Sequence, residues 1–226
     1  MKHVNILLLI AVFALPVSAK KSENLFAKYN YKTYKSYKPF YETIDEKNID
    51  YHRMRAMLFF AINQVRVENK RKPLPYAKLL ETIASRHSKN MVEKNFFSNY
   101  DKTDPSQYSP KMRARSVGIM NPVISESIIN GFAIQYKSGT GFYTIDEEKG
   151  IFSYSRFGSP IPNHTYFSLA WSIISSFMES KSDIRNLFST EKVQVGCGIY
   201  FYKDKRNKNM FRYMAVVNYQ SCHKII

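Results

Sequence analysis

Cysteine is almost absent: Cys197 and Cys222 are the only two in 226 residues. That excludes a small scaffold stapled by several disulfides and a zinc site built from four thiolates. No apolar run beyond residue 19 is long enough to span a bilayer, which takes about 20 residues. Acidic residues are also few, 18 against 34 lysines and arginines, so the formal charge of +16 favours anionic partners without choosing among them. There is no internal repeat. Gly139-Thr140-Gly141 lacks the spacing and strand-to-helix setting of a phosphate loop, and no serine sits in a nucleophile-elbow string between glycines. A Ser-His-Asp arrangement stays open, because such groups meet only in space. Apolar and aromatic residues are plentiful, at 44% and 15% against 23% charged, which is enough for a buried core and too much for a disordered chain.

Residues 1–19 carry the three-part pattern of an export signal: Lys2 and His3, the apolar run Ile6 to Leu15, then Pro16-Val17-Ser18-Ala19 with small residues where a signal peptidase cuts. The run is too short for an anchor, and no cysteine follows it for lipid attachment. The expectation is a secreted or periplasmic chain of 207 residues with no transmembrane segment. That length suits one domain with a tail or an insertion. Residues 20–49 interleave Tyr29, Tyr31, Tyr34, Tyr37 and Tyr41 with Lys28, Lys32, Lys35 and Lys38 and hold few aliphatics. This stretch reads as a linker or arm, a solvated spacer with its tyrosines on the domain surface. Such a mixture can stack on sugars or bases, but an exported chain rarely meets nucleic acid, and none is expected as a partner.

The main domain, residues 50–223, opens with Met54, Leu58, Ala61, Ile62 and Val65 at helical spacing, ended by Lys70-Arg71-Lys72-Pro73. A second stripe runs through Leu80, Ile83, Ala84, His87 and Met91, with His87 expected as a packed, hydrogen-bonded core residue. A short helix at Met112–Gly118 follows a polar loop. An insertion at about residues 132–165 contains a predicted hairpin, Phe142–Ile145 with Ile151–Tyr154. Tyr166, Leu169, Ala170, Ile173 and Phe177 line a third long helix. Two alternating strands close the domain, through Val193–Phe201 and Phe211–Tyr219, joined by a basic turn around Arg206. Helices first and strands last predict an α+β sandwich with a small antiparallel sheet.

Several short strings occur in the order found in the CAP superfamily of cysteine-rich secretory, antigen 5 and pathogenesis-related proteins, most closely its bacterial exported branch. They are Asn63-Gln64-Val65-Arg66 with Pro73-Leu74, Asn95-Phe96-Phe97-Ser98, Arg113-Ala114-Arg115 with Gly118, Ser125-Glu126-Ser127-Ile128, Phe177-Met178-Glu179-Ser180 and Val195-Gly196-Cys197-Gly198. Each is weak alone; together, in order, they resemble that family. The resemblance implies a three-layer α-β-α sandwich whose cleft, in the family, is lined by two histidines and two acidic residues able to hold a divalent metal. Carried over, the first histidine falls on Asn99, the first acid on Glu126, the second acid near Ser180 and the later histidine on Asp183. Both imidazoles are therefore replaced.

An amide neither binds zinc as imidazole does nor exchanges protons near neutral pH. The oxygen ligands of Asn99, Glu126 and Asp183 would suit calcium or magnesium if any metal. The plainer accounts are structural: Glu126 as a carboxylate bonded by a neighbouring loop, Asp183 as a helix-terminus residue. His164 could replace a missing histidine from the insertion, although a turn histidine before a helix is the plainer role. Closing the Cys197–Cys222 loop would add about 3 kcal/mol, but with the last strands paired Cys197 faces a residue near Val216, well short of Cys222. In the family a cysteine at this place commonly pairs with partners absent here. The functional expectation is an exported, non-enzymatic domain binding a small apolar ligand, such as a sterol or fatty acid, or an anionic envelope or host surface. The alternatives are a metal-assisted hydrolase using Glu126 and Asp183, and salt-sensitive binding by the arm and the turn at Arg206.

Overall fold

A computed structural model of the chain describes residues 24–225, so the expected export signal lies outside it. In chain order the elements are α1 (Leu25–Lys28), α2 (Tyr51–Glu68), α3 (Lys78–Glu93), α4 (Pro110–Ser116), β1 (Ile124–Phe132), β2 (Tyr143–Asp146), β3 (Ile151–Ser153), α5 (Tyr166–Glu179), α6 (Lys181–Phe188), β4 (Lys192–Asp204) and β5 (Met210–Ser221). Strands β1, β5 and β4 form one antiparallel sheet in that order, and β2 with β3 forms the predicted hairpin.

The period of two in β4 and β5 assigns their side chains to opposite faces. Val195, Cys197, Ile199 and Phe201, with Tyr213, Ala215, Val217 and Tyr219, join the large core under α2 and α5. The other face receives α3, and glycine makes that approach possible. A Cβ on Gly198 would stand 2.1 Å from the backbone of Ala84, and one on Gly196 2.2 Å from the Glu81 nitrogen. Met214 and Val216 pack beside Ala84 and Met91 on this side. The result is an α+β sandwich with helices on both sides of a small antiparallel sheet, as the sequence predicts.

The strings that carried the resemblance are largely structural. Asn63 exchanges two hydrogen bonds with the Leu74 backbone, at 2.9 and 2.7 Å. Arg66, buried at 1% exposure, donates to the carbonyls of Lys72, Leu187 and Ser189 and so ties the end of α2 to the loop before β4. Cys197 lies opposite Val217 and is buried, whereas Cys222 is exposed; both are free thiols.

The arm is not a solvated spacer. Tyr34, Phe40 and Ile44 are fully buried in the main core. Tyr34 stacks on Phe60 at 5.6 Å, and Phe26 stacks on Tyr76 at 3.9 Å. The Ile44 nitrogen donates to the His164 carbonyl at 2.9 Å, and Arg53 pairs with Glu42. Turns of 3-10 helix at Tyr34–Ser36 and Lys38–Tyr41 space these residues irregularly, so no period announces them. The insertion is likewise packed into the fold, with Ile134, Phe152 and Ile161 buried in the same core.

Candidate functional site

Glu126 lies on β1 opposite Asn218 of β5, on the sheet face that carries α3. Its side chain is 1% exposed. Arg113, fully buried on α4, donates through Nη2 to both carboxylate oxygens, at 2.7 and 2.9 Å. Asn99 Nδ2 donates to the same Oε1 at 3.0 Å and to the Glu126 carbonyl at 3.3 Å. Arg113 also donates to the carbonyls of Gln107 and Asn99, at 2.7 and 3.0 Å, so one guanidinium organises the whole loop between α3 and α4.

His87, fully buried on α3, stands with Nε2 3.7 Å from Glu126 Oε1. That nitrogen lies 2.9 Å from the Ser98 carbonyl, which accepts and therefore fixes the proton on Nε2. Burial, aided by the Arg113 charge, lowers the His87 pKa to about 4, so the ring is neutral at pH 7. Burial pushes the Glu126 carboxyl up, while the charge and hydrogen bonds of Arg113 pull it back. The expected core role of His87 is what is found. Glu126 is held by side chains rather than by the backbone NH groups of a loop.

The remaining candidates do not join this pair. Ser180 caps α6, its Oγ accepting from the Asp183 nitrogen at 3.4 Å. One turn further on, Asn186 reaches the Glu126 carbonyl at 3.5 Å and Ser127 Oγ at 3.2 Å, so α6 touches β1 through an amide rather than through Asp183. His164 donates its backbone NH to Ala133, just past the far end of β1, and its Nδ1 lies 2.9 Å from Ser168 Oγ. Seven residues of strand at about 3.3 Å each separate Ala133 from Glu126, so roughly 23 Å lie between them. His164 secures the start of α5 and the end of the arm. It does not replace a missing cleft histidine.

What sequence reasoning missed is the pairing of Arg113 with Glu126. A partial signal was present: two arginines flank Ala114 on a short helix, one buried there needs an anion, and Glu126 is the only carboxylate in the apolar stretch Val123–Ile129. Outside the pair lies a hollow of about 340 Å³, edged by Asn99, Tyr100, Ser109, Pro110, Lys111, Ile124 and Glu126.

The family model for the cysteine-rich secretory protein (CAP) family matches residues 59–219. The chain belongs to the CAP family. No curated protein matches it. Similar solved structures include an extracellular protein containing an SCP domain from Bacillus anthracis, at 16% identity and TM-score 0.49, over 75% of this chain and 41% of that one. An outer surface protein of Borrelia burgdorferi is similar at 14% identity and TM-score 0.49, over 80% and 97%. A cysteine-rich secretory protein of Staphylococcus aureus matches at 13% and 0.46, over 76% and 40%. This CAP chain thus spans about two fifths of the Bacillus and Staphylococcus proteins.

The metal that the fold family implies does not fit here. A guanidinium occupies both oxygens of Glu126 and places a positive charge where a cation would sit. Among the described residues, no three His, Cys, Asp or Glu side chains converge to hold a metal ion, and no helix is long and apolar enough to cross a membrane.

Proposed function

We propose that this CAP domain is an exported binding protein rather than an enzyme, and that it acts on an anionic envelope or host surface. The observation that carries this is the closed Arg113–Glu126 pair. A general base needs a carboxylate or imidazole within reach of a substrate proton, and here the carboxylate is shut in by Arg113 and Asn99 while the imidazole is buried with its proton committed to Ser98. Against hydrolysis through Glu126 and Asp183 stands the engagement of the Glu126 carboxylate by Arg113 and Asn99.

The character of the larger hollows favours an anionic target over a sterol or fatty acid. One, of about 510 Å³, is edged by Lys203, Lys205, Arg206 and Arg212, with Asp204 among them, beside Met91 and Phe96. A second of the same volume is edged by Lys70, Arg71, Lys72, Lys192 and Lys224, the buried Arg66 and no acidic residue, together with Pro73, Leu74, Pro75, Thr190 and Val193. A ligand pocket for a small apolar molecule is instead enclosed and lined chiefly by apolar side chains.

Calorimetric titration of the wild-type chain and Glu126→Gln with calcium and with magnesium tests the non-catalytic part. No saturable heat is expected from either protein. Stoichiometric binding by the wild type that disappears in Glu126→Gln would restore the metal-assisted reading.

A further inference from the structure

We propose that the groove between the end of α2 and the start of β4 is a docking site for a linear acidic polysaccharide, a chain bearing repeated sulfate or carboxylate groups. This rests on the binding role proposed above and names the class of partner. The groove encloses about 510 Å³. Lys70, Arg71 and Lys72 edge it from the α2 side, and Lys192 and Lys224 from the β4 and C-terminal side. No acidic residue lines it.

The walls are held at a fixed separation by buried polar links. The guanidinium of Arg66 spans from the Lys72 carbonyl to those of Leu187 and Ser189. Val195 exchanges backbone hydrogen bonds with Pro75 and Ala77, at 3.0 and 2.9 Å, and Asn63 clamps Leu74 beneath the floor. Lys70, in the left-handed conformation at φ 57°, turns the chain out of α2 so that three successive basic residues reach the surface. A preorganised site loses less ordering entropy when it binds.

The charge here is left uncompensated. Several cations elsewhere are neutralised locally, as in Lys94–Asp101, Lys203–Glu46 and Arg212–Asp204. None of the five groove cations makes an ion pair among the described residues, and Lys192 donates instead to Ser221 Oγ at 2.9 Å. Five like charges facing one channel repel one another, and a polyanion threaded between them relieves that repulsion while releasing counterions.

Shape and lining choose among polyanions. A flat bilayer reaches only the rim of a concave site. Single-stranded nucleic acid binds by stacking bases on aromatic side chains, and no aromatic residue lines this groove. Pro73 and Pro75 instead offer rigid aliphatic surface on which sugar rings can lie.

The test is equilibrium binding of a size-defined heparin oligosaccharide to the full chain at about 0.15 M salt. The triple reversal K70E/R71E/K72E is expected to weaken binding by at least about tenfold and K224E by about threefold, with the arm reversal K32E/K35E/K38E changing it less than about twofold. Circular dichroism verifies folding, and K70Q/R71Q/K72Q serves if the reversal does not fold. Equal losses in the arm and groove variants would overturn the site, since the attraction would then be diffuse. So would wild-type binding to phosphatidylserine vesicles or a single-stranded oligonucleotide in preference to heparin, or no binding to heparin at all. None of those results touches the metal titration, so the groove can fail while the non-catalytic reading stands, and the reverse also holds.

Discussion

Toward α2 and α5, the sheet presents an unbroken apolar surface, and the arm adds Tyr34, Phe40 and Ile44 to it. Toward α3 and α4, the same strands present glycines, Met214 and Val216, and a buried constellation of Glu126, Arg113, Asn99 and His87. One face is stabilised by burial alone. The other depends on close backbone approach and on charges that satisfy one another. The difference shows two ways of closing one sheet: apolar burial on one face, and on the other a polar cluster closed by the internal cation of Arg113.

The comparison breaks first if the arm is dispensable. Phe40→Ala should cost about 3–5 kcal/mol in urea unfolding, the loss typical of a fully buried phenylalanine. A cost below about 0.5 kcal/mol would return the arm to the status of a surface spacer. On the opposite face, Gly198→Ala forces a methyl group into the backbone of α3 at Ala84. About 1–3 kcal/mol is expected from such overpacking, with the change detectable as a displaced α3 resonance pattern in amide NMR spectra.

The arm also shows why sequence reading stopped short. Helices α2, α3 and α5 and strands β4 and β5 were legible because their core residues repeat at 3.6 or 2. Tyr34, Phe40 and Ile44 enter the core from 3-10 turns and extended backbone, where no period survives. At the site, the resemblance placed Asn99 beside Glu126, and they do meet. Spacing carried no record that Arg113 would reach Glu126 across a loop, nor that Asp183 would lie a turn away from the contact made by Asn186.

Acid sharpens the contrast next. His87 and His164 have pKa values lowered by burial from 6.5 to about 4. Between those values the unfolded chain binds more protons than the folded one, so this contribution is complete above pH 6.5 and is lost as pH falls toward 4. Burial of His87 alone should remove about 2–3 kcal/mol by pH 4. Urea midpoints measured at successive pH values check this, and His87→Gln should flatten part of the slope.

At the edge of the sheet, effects are smaller. Ser180→Ala removes the cap of α6 and should cost about 1 kcal/mol. Asp183→Asn should change stability by less than about 0.5 kcal/mol and leave any divalent-cation titration unaltered. A loss of cation binding in Asp183→Asn would show that this carboxylate belongs to a site after all.

The most direct test is a double-mutant cycle in urea between Arg113 and Glu126. Arg113→Met strands a buried carboxylate and should cost about 3–5 kcal/mol, with Arg113→Met combined with Glu126→Gln recovering more than about 1 kcal/mol of that loss. Strictly additive costs would mean that the two residues act independently, and the closed pair on which this account rests would not exist.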